Sequence, residues 1–180
     1  MAKLIGNAPN QVPTNADLGE LAFLDKSFAG ITEADQWRLT ADITTNTSPI
    51  SANLERVDNT GFGYIGKGMS VSSGIWTFPS TGIYLIKVVG DYNTVSGDSV
   101  VIDIEVTTNN STYTQVAVAD ESSSGGVSGR GVTEFLFDVT DTSNCKVRFG
   151  LTQNQANTPL FQGATDENYT FATFIRLGDT

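Results

Sequence analysis

The sequence has no histidine, a single cysteine at position 145, and ten Lys and Arg against twenty Asp and Glu. Without His, the Ser-His and Cys-His arrangements that activate a nucleophile are excluded. One cysteine cannot close an intrachain disulfide, and a zinc site usually needs several Cys or His ligands. The formal net charge of −10 repels phosphate backbones and anionic membranes, which argues against nucleic acid or a membrane surface as a partner. No apolar run approaches the ~20 residues of a membrane helix. Met1-Ala2-Lys3-Leu4-Ile5-Gly6 breaks too soon for a signal peptide, so the expectation is a soluble protein made in the cytoplasm.

What is present fits a β protein. At 180 residues with 39% hydrophobic content, the chain is long enough for one core. Eighteen glycines and an abundance of Thr, Ser and Asn point to many turns. Residues 1–35 read as an extended arm, because Pro9 and Pro13 rule out a continuous helix or central strand. Its apolar residues come in small groups that suit docking on another surface, while Asp17 to Asp25 is a weak candidate for a helical turn. From Gln36 onward the hydrophobic period is two. Val100, Ile102, Ile104 and Val106 alternate with Asp103 and Glu105, and this is the clearest strand. Further strands are expected at Trp37 to Ile43, Leu54 to Val57, Tyr64 to Ser70, Ile75 to Phe78, Gly82 to Gly90, Tyr113 to Ala119, Thr133 to Val139, Cys145 to Leu151 and Tyr169 to Leu177. Eight to ten strands over residues 36–180 imply a two-sheet sandwich or jelly roll. Glu121 to Gly131, ESSSGGVSGRG, reads as the most flexible loop.

Few residues point to chemistry. Gly61-Phe62-Gly63-Tyr64-Ile65-Gly66 is a literal G-x-G-x-x-G, yet no helix follows to aim amides at a pyrophosphate, so a turn-rich β connection is the better reading. Cys145 lies in a strand pattern and is expected as a core thiol. Asp98, Asp103, Glu105, Asp138, Asp141, Asp166 and Glu167 include possible acid/base pairs for glycoside hydrolysis, but sequence does not show which of them face each other; solvated surface is the preferred reading. Asp138 with Asp141, or Asp166-Glu167-Asn168, offers oxygen ligands for calcium, although no Ca²⁺ loop motif supports it. No catalytic residue, cofactor or metal is therefore assigned.

Trp76-Thr77-Phe78-Pro79-Ser80-Thr81-Gly82-Ile83-Tyr84-Leu85-Ile86 resembles the C1q/TNF-like family, in which an aromatic leads through a proline turn into Gly-x-Tyr on a central strand. Asn168 to Leu177 resembles that family's last strand, and Phe135-x-Phe137-Asp138-Val139 extends the likeness over Gln36 to Thr180. The resemblance implies an all-β C1q/TNF-like jelly-roll head that assembles as a homotrimer, with Tyr84, Phe171 and Phe174 at the subunit interface. Upstream of Trp76 the pattern is poorly kept, and no collagen-like stalk is seen.

The arm, Gly6-Asn7-Ala8-Pro9-Asn10-Gln11-Val12-Pro13-Thr14-Asn15-Ala16-Asp17-Leu18-Gly19-x-Leu21-Ala22-Phe23, resembles the N-terminus of virion proteins of tailed phages, particularly cyanophages. Phe174-Ile175-Arg176-Leu177-Gly178-Asp179-Thr180 is similar to the end of phage fibre heads. These likenesses imply a non-enzymatic virion protein. Leu4, Ile5, Val12, Leu18, Leu21, Phe23 and Leu24 would attach it to other tail, fibre or capsid proteins, and loops at Glu121 to Gly131 and Asn154 to Asp166 would display toward a host-surface glycan. A fibre or receptor-binding role in host adsorption leads. Capsid decoration, with the arm clamping shell subunits, is the alternative, and a polysaccharide depolymerase or a secreted C1q-like signalling module ranks behind both.

Overall fold

The computed structural model of the protein describes residues 30–93, 98–123, 128–154 and 160–180. The arm residues Leu4, Ile5, Val12, Leu18, Leu21, Phe23 and Leu24, and the helical turn expected at Asp17 to Asp25, lie outside the described residues. A compact unit runs from Ile31 to Thr180. It begins a few residues before Gln36, because Ala34 and Asp35 already pair with the last strand.

Eleven strands are described: β1 Ala34–Leu39, β2 Leu54–Arg56, β3 Ser70–Ser72, β4 Ile75–Thr77, β5 Gly82–Asn93, β6 Asp98–Thr107, β7 Thr114–Ser123, β8 Ser128–Val139, β9 Lys146–Asn154, β10 Leu160–Phe161 and β11 Phe171–Gly178. No helix occurs among the described residues, and none is therefore long and apolar enough to cross a membrane. The strands form two antiparallel sheets. In the first, β8 flanks β5 along its length, β11 and then the short β10 flank its other edge, and β1 and β2 follow β11. The second runs β3-β4-β9-β6-β7.

Most expected strands are present, and the differences have physical causes. Ala41 and Asp42 do not extend β1, because the chain turns away after Leu39 to reach β10 and β9 through bridges at Ile43 and Thr47. Only Ser70 of the stretch Tyr64 to Ser70 is in a named strand, β3, although Ile65 bridges to Ala34. Of the loop expected from Glu121 to Gly131, Glu121–Ser123 continues β7 and Ser128–Gly131 belongs to β8, while residues 124–127 lie outside the described residues. There, Gly131 and Gly129 stay in register with Gly90 and Tyr92, so the ladder outlasts the glycine-rich composition.

The core lies between the sheets. Tyr84, Ile86, Val88 and Tyr92 of β5 point inward and meet Val100, Ile102 and Ile104 of β6 and Val147, Phe149 and Leu151 of β9. Trp76 is its aromatic centre, with ring centroids 5.1 Å from both Trp37 and Phe174 and 6.0 Å from Phe149. Such offset and edge contacts add to the area that the rings bury. Cys145 is fully buried in this core, as expected of a lone thiol.

A polar knot closes one end of the sandwich. Asp35, 4% exposed, accepts from Trp37 Nε1 at 2.8 Å, from Met69 N at 2.7 Å and from the backbone N–H of Gln36 at 2.9 Å. Arg56 grips it with two nitrogens, Nε to Oδ1 at 2.9 Å and Nη2 to Oδ2 at 3.0 Å, and donates to Met69 O at 2.7 Å. The guanidinium lies between the Trp37 and Tyr64 rings, 4.9 and 4.8 Å from their centroids. Gly68, at φ 71°, allows this close approach, since a Cβ there would sit 2.7 Å from Asp35 Oδ2. Replacing Asp35 with Ala leaves the Trp37 and Met69 donors unmatched and the guanidinium without its anion. The expected cost is about 3–5 kcal/mol, read as a lower midpoint in urea unfolding, and Arg56→Lys should also destabilise because an ammonium cannot make the two-pronged contact.

Candidate functional site

In an antiparallel sheet, residues directly opposite each other share a face. On the outer face of the β5 sheet this register builds an apolar row: Leu136 of β8, Leu85 of β5, Ile175 of β11, Ala34 of β1 and Ile65 of the bridging segment. Leu136 is 57% and Ile65 47% exposed. Two residues along is a polar row, Glu134, Lys87, Thr173 and Gln36, and beyond it Val132, Val89, Phe171 and Arg38. Val132 and, at the far end of β11, Leu177 are also half exposed.

Loops cover the β1 side of this face. Arg38, fully buried although it points outward, is held by Glu55, Asp58 and Asn59, and Asn59 Nδ2 donates to Asp166 O at 2.6 Å. Gln36 receives a hydrogen bond from Asn168 Nδ2 at 2.7 Å and donates to Thr173 Oγ1 at 2.9 Å. Toward β8 the face is exposed at Leu136 and Val132, while Leu85, Ile175 and Phe171 are half-buried and Val89 is buried. A sheet face carrying Leu85, Leu136, Val132 and Ile175 is apolar beyond what a water-facing surface requires.

The opposite outer face is built differently. On the β6 sheet, Asp103, Glu105, Arg148, Gln115 and Asp120 point outward. Arg148 pairs with Glu105 and lies 4.1 Å over the Tyr113 ring. Asp103 is 5% exposed, accepting from Gln115 Nε2 and Gly150 N at 3.0 Å each. Gly150 leaves room for this carboxylate, since a Cβ there would sit 2.7 Å from Asp103 Oδ1 and displace it.

Of the residues the family resemblance placed at a subunit interface, only Phe171 points outward, where it is half-buried. Tyr84 and Phe174 are each 1% exposed and belong to the protomer's own core. Tyr84 packs 4.8 Å from Phe78, and its hydroxyl donates to Ser80 O at 3.1 Å. The correction follows from the period of two: with the aromatics inward, the outward neighbours are Leu85 and Ile175. Nothing in the aromatic pattern distinguished the two faces, whereas the intervening aliphatics carried the signal.

The other candidates resolve into structure. Within the G-x-G-x-x-G segment, Gly61 and Gly66 take positive φ and Ile65 bridges to Ala34; the amides of Lys67 and Gly68 that follow donate to Glu33 Oε2. Asp141 accepts from Ser143 N and Asn144 Nδ2 at 2.7 Å each, which holds its carboxyl below the usual range and shapes a turn. Asp103 and Glu105 share a face, but the first is buried and the second is paired with Arg148. Among the described residues no three His, Cys, Asp or Glu cluster so as to hold a metal ion.

No protein-family model and no curated protein matches the sequence. Solved structures do match, and they define the class of fold: an all-β, C1q/TNF-like jelly roll. The crystal structure of murine APRIL at pH 5.0 superposes with TM-score 0.59 at 13% identity, covering 81% of this chain and 98% of that one. Eiger TNF from S. frugiperda gives 0.60 at 12% identity, covering 84% and 95%. At such identities the likeness concerns the fold alone.

Burial pushes the Asp103 carboxyl above its usual range, partly opposed by the donors Gln115 and Gly150. A carboxyl raised in the folded state favours folding while protonated, and that contribution is lost as pH rises through its folded value. Asp103→Asn, which keeps an acceptor but no charge, should therefore raise Tm relative to the wild type at pH 7 by a margin that shrinks toward pH 4. An equal margin at both pH values, by calorimetry, would place the carboxyl's cost elsewhere.

Proposed function

We propose that the protein is a non-enzymatic structural component of a tailed-phage virion, a homotrimeric jelly-roll head anchored by its N-terminal arm and acting in host adsorption as a fibre or receptor-binding protein. The observation that carries the self-association is the apolar row Leu136, Leu85 and Ile175 on the outer face, with Leu136 57% exposed. Further copies of the chain are its natural cover, because a closed threefold ring turns the same face of each subunit toward the axis and buries it against a neighbour, so that every subunit is satisfied alike. The virion placement rests on the resemblance of residues 6–23 to phage attachment arms. The net charge of −10 keeps the head away from nucleic acid and anionic lipid, in line with display on a particle's exterior.

Two experiments test this reading. In light scattering the wild type should give the mass of three chains, and Leu136→Asp a single chain with an unchanged circular dichroism spectrum, since Leu136 is exposed in the protomer. A wild-type monomer would remove the trimer. In electron micrographs of intact phage, gold-labelled antibody against residues 31–180 should decorate tail or fibre tips. Gold over the capsid would assign decoration instead, and bare particles would discard the virion role.

A further inference from the structure

Between β1 and β2 the chain leaves the sheet for residues 40–53 and forms a recess of about 230 Å³. Its rim is Asp42, Thr44, Thr45, Thr47, Ser51 and Asn53, over the buried side chains of Ile43 and Ile50. We propose that this recess is a binding site for a neutral hexose unit of a glycan.

The walls are fixed before any ligand arrives. Ile43 exchanges backbone hydrogen bonds with Phe161 at 2.9 Å both ways, and Thr47 with Leu151 at 2.9 and 2.8 Å. Ile50 N donates to Phe149 O at 2.9 Å and Thr40 N to Asn53 O at 2.8 Å. The segment is thus tied to β10 of one sheet at Ile43 and to β9 of the other at Thr47 and Ile50, and residues between the ties line the recess. Preorganisation of this kind lowers the ordering cost of binding.

The chemistry of the rim selects the ligand. Hydroxyls of Thr44, Thr45 and Ser51 and the Asn53 amide have no hydrogen-bond partner among the described residues and supply both donors and acceptors. Asp42 uses Oδ1 to accept from Gly163 N at 2.9 Å, which leaves Oδ2 for adjacent ligand hydroxyls. No Lys or Arg lines the recess. A carboxylate without a cation rejects phosphates, uronic acids and sialic acids and accepts hydroxyl donors. The threonine methyl groups and the isoleucine floor suit the C–H face of a pyranose. This site deepens the host-adsorption reading and rests on it only for the surface that bears the sugar; the binding itself is a property of the head.

The test uses the full chain in saturation-transfer NMR with glucose, galactose and mannose, with glucuronic acid as the acidic comparison. A neutral hexose should receive saturation and bind in the millimolar range (~1–10 mM), as expected of a small solvent-open site. Asp42→Asn, which retains the acceptor for Gly163, should weaken binding about tenfold by removing one charge-assisted hydrogen bond, and Thr44→Val with Ser51→Ala should abolish it. Both variants should keep the wild-type oligomer mass and melting temperature, since none of the altered side-chain groups lies in the core. No transfer to any of the three sugars, equal transfer to glucuronic acid, or binding unchanged in both variants would overturn the site. Because gold labelling locates the protein independently, failure here leaves the virion reading standing, and a capsid location would leave a measured sugar site standing.

Discussion

The register of β5 is the constraint on which the rest depends. It pairs with β8 from Gly82 to Asn93 on one edge and with β11 from Ile83 to Val89 on the other, so the face of every side chain in three strands is set by one alignment. A slip of one residue would exchange Tyr84, Ile86 and Val88 for Ile83, Leu85 and Lys87, placing an ammonium in the core and a tyrosine on the surface. That cost fixes the register. It also means that the interior and the outer apolar row are two readings of one alternation: Tyr84 and Phe174 inward oblige Leu85 and Ile175 outward.

Both faces of β5 are therefore apolar, and this is where the sequence was hardest to read. In β6, Asp103 and Glu105 mark the solvent side, and the strand was legible with its orientation. In β5 and β11, apolar residues fall on both sides of the sheet, and a family likeness that placed the aromatics at a subunit boundary put Tyr84 and Phe174, which are buried in the protomer, on the outer side. Phe171 fell on the outer side because it is three residues from Phe174, an odd number. The strands themselves were legible wherever β-branched residues ran with a period of two. β10, only Leu160 and Phe161, was not, because two residues carry no period, and it exists through pairing with Tyr92 and Asn93. The glycine-rich end of β8 was read as loop for the complementary reason: its strand character comes from long-range pairing with β5 and not from local composition.

The two ion-pair centres show how a chain with few cations uses them. Arg38 and Arg56 stand on opposite faces of adjoining strands, and each joins a strand carboxylate, Glu55 of β2 or Asp35 of β1, to acceptors from the irregular chain that follows β2. Arg56 ties Asp35 to Met69, and Arg38 collects Asp58 and Asn59. An arginine suits both places because its fixed fork satisfies several acceptors at once and stays charged when buried. The irregular chain from Val57 to Met69 is held to the β1 edge by these contacts and by the Ile65–Ala34 bridge, and so it covers part of the outer face and leaves the part nearest β8 open. The boundary of the open apolar face is set by where the arginines are.

The proposed assembly face and the proposed sugar site rest on separate structural supports. The apolar face is made of strand residues whose orientation cannot change without disturbing the core beneath them. The recess of residues 42–53 is held by backbone hydrogen bonds to β9 and β10, which do not depend on the identity of the side chains at Thr44, Thr45 or Ser51, whereas Asn53, at φ 58°, is constrained by its backbone. Substitution at the rim therefore alters hydroxyl and amide chemistry while the ties at Ile43, Thr47 and Ile50 keep its shape. If both proposals hold, ligand preference can change through a few polar residues while the assembly contact is retained, whereas a change on the outer row of β5 acts on the whole sheet.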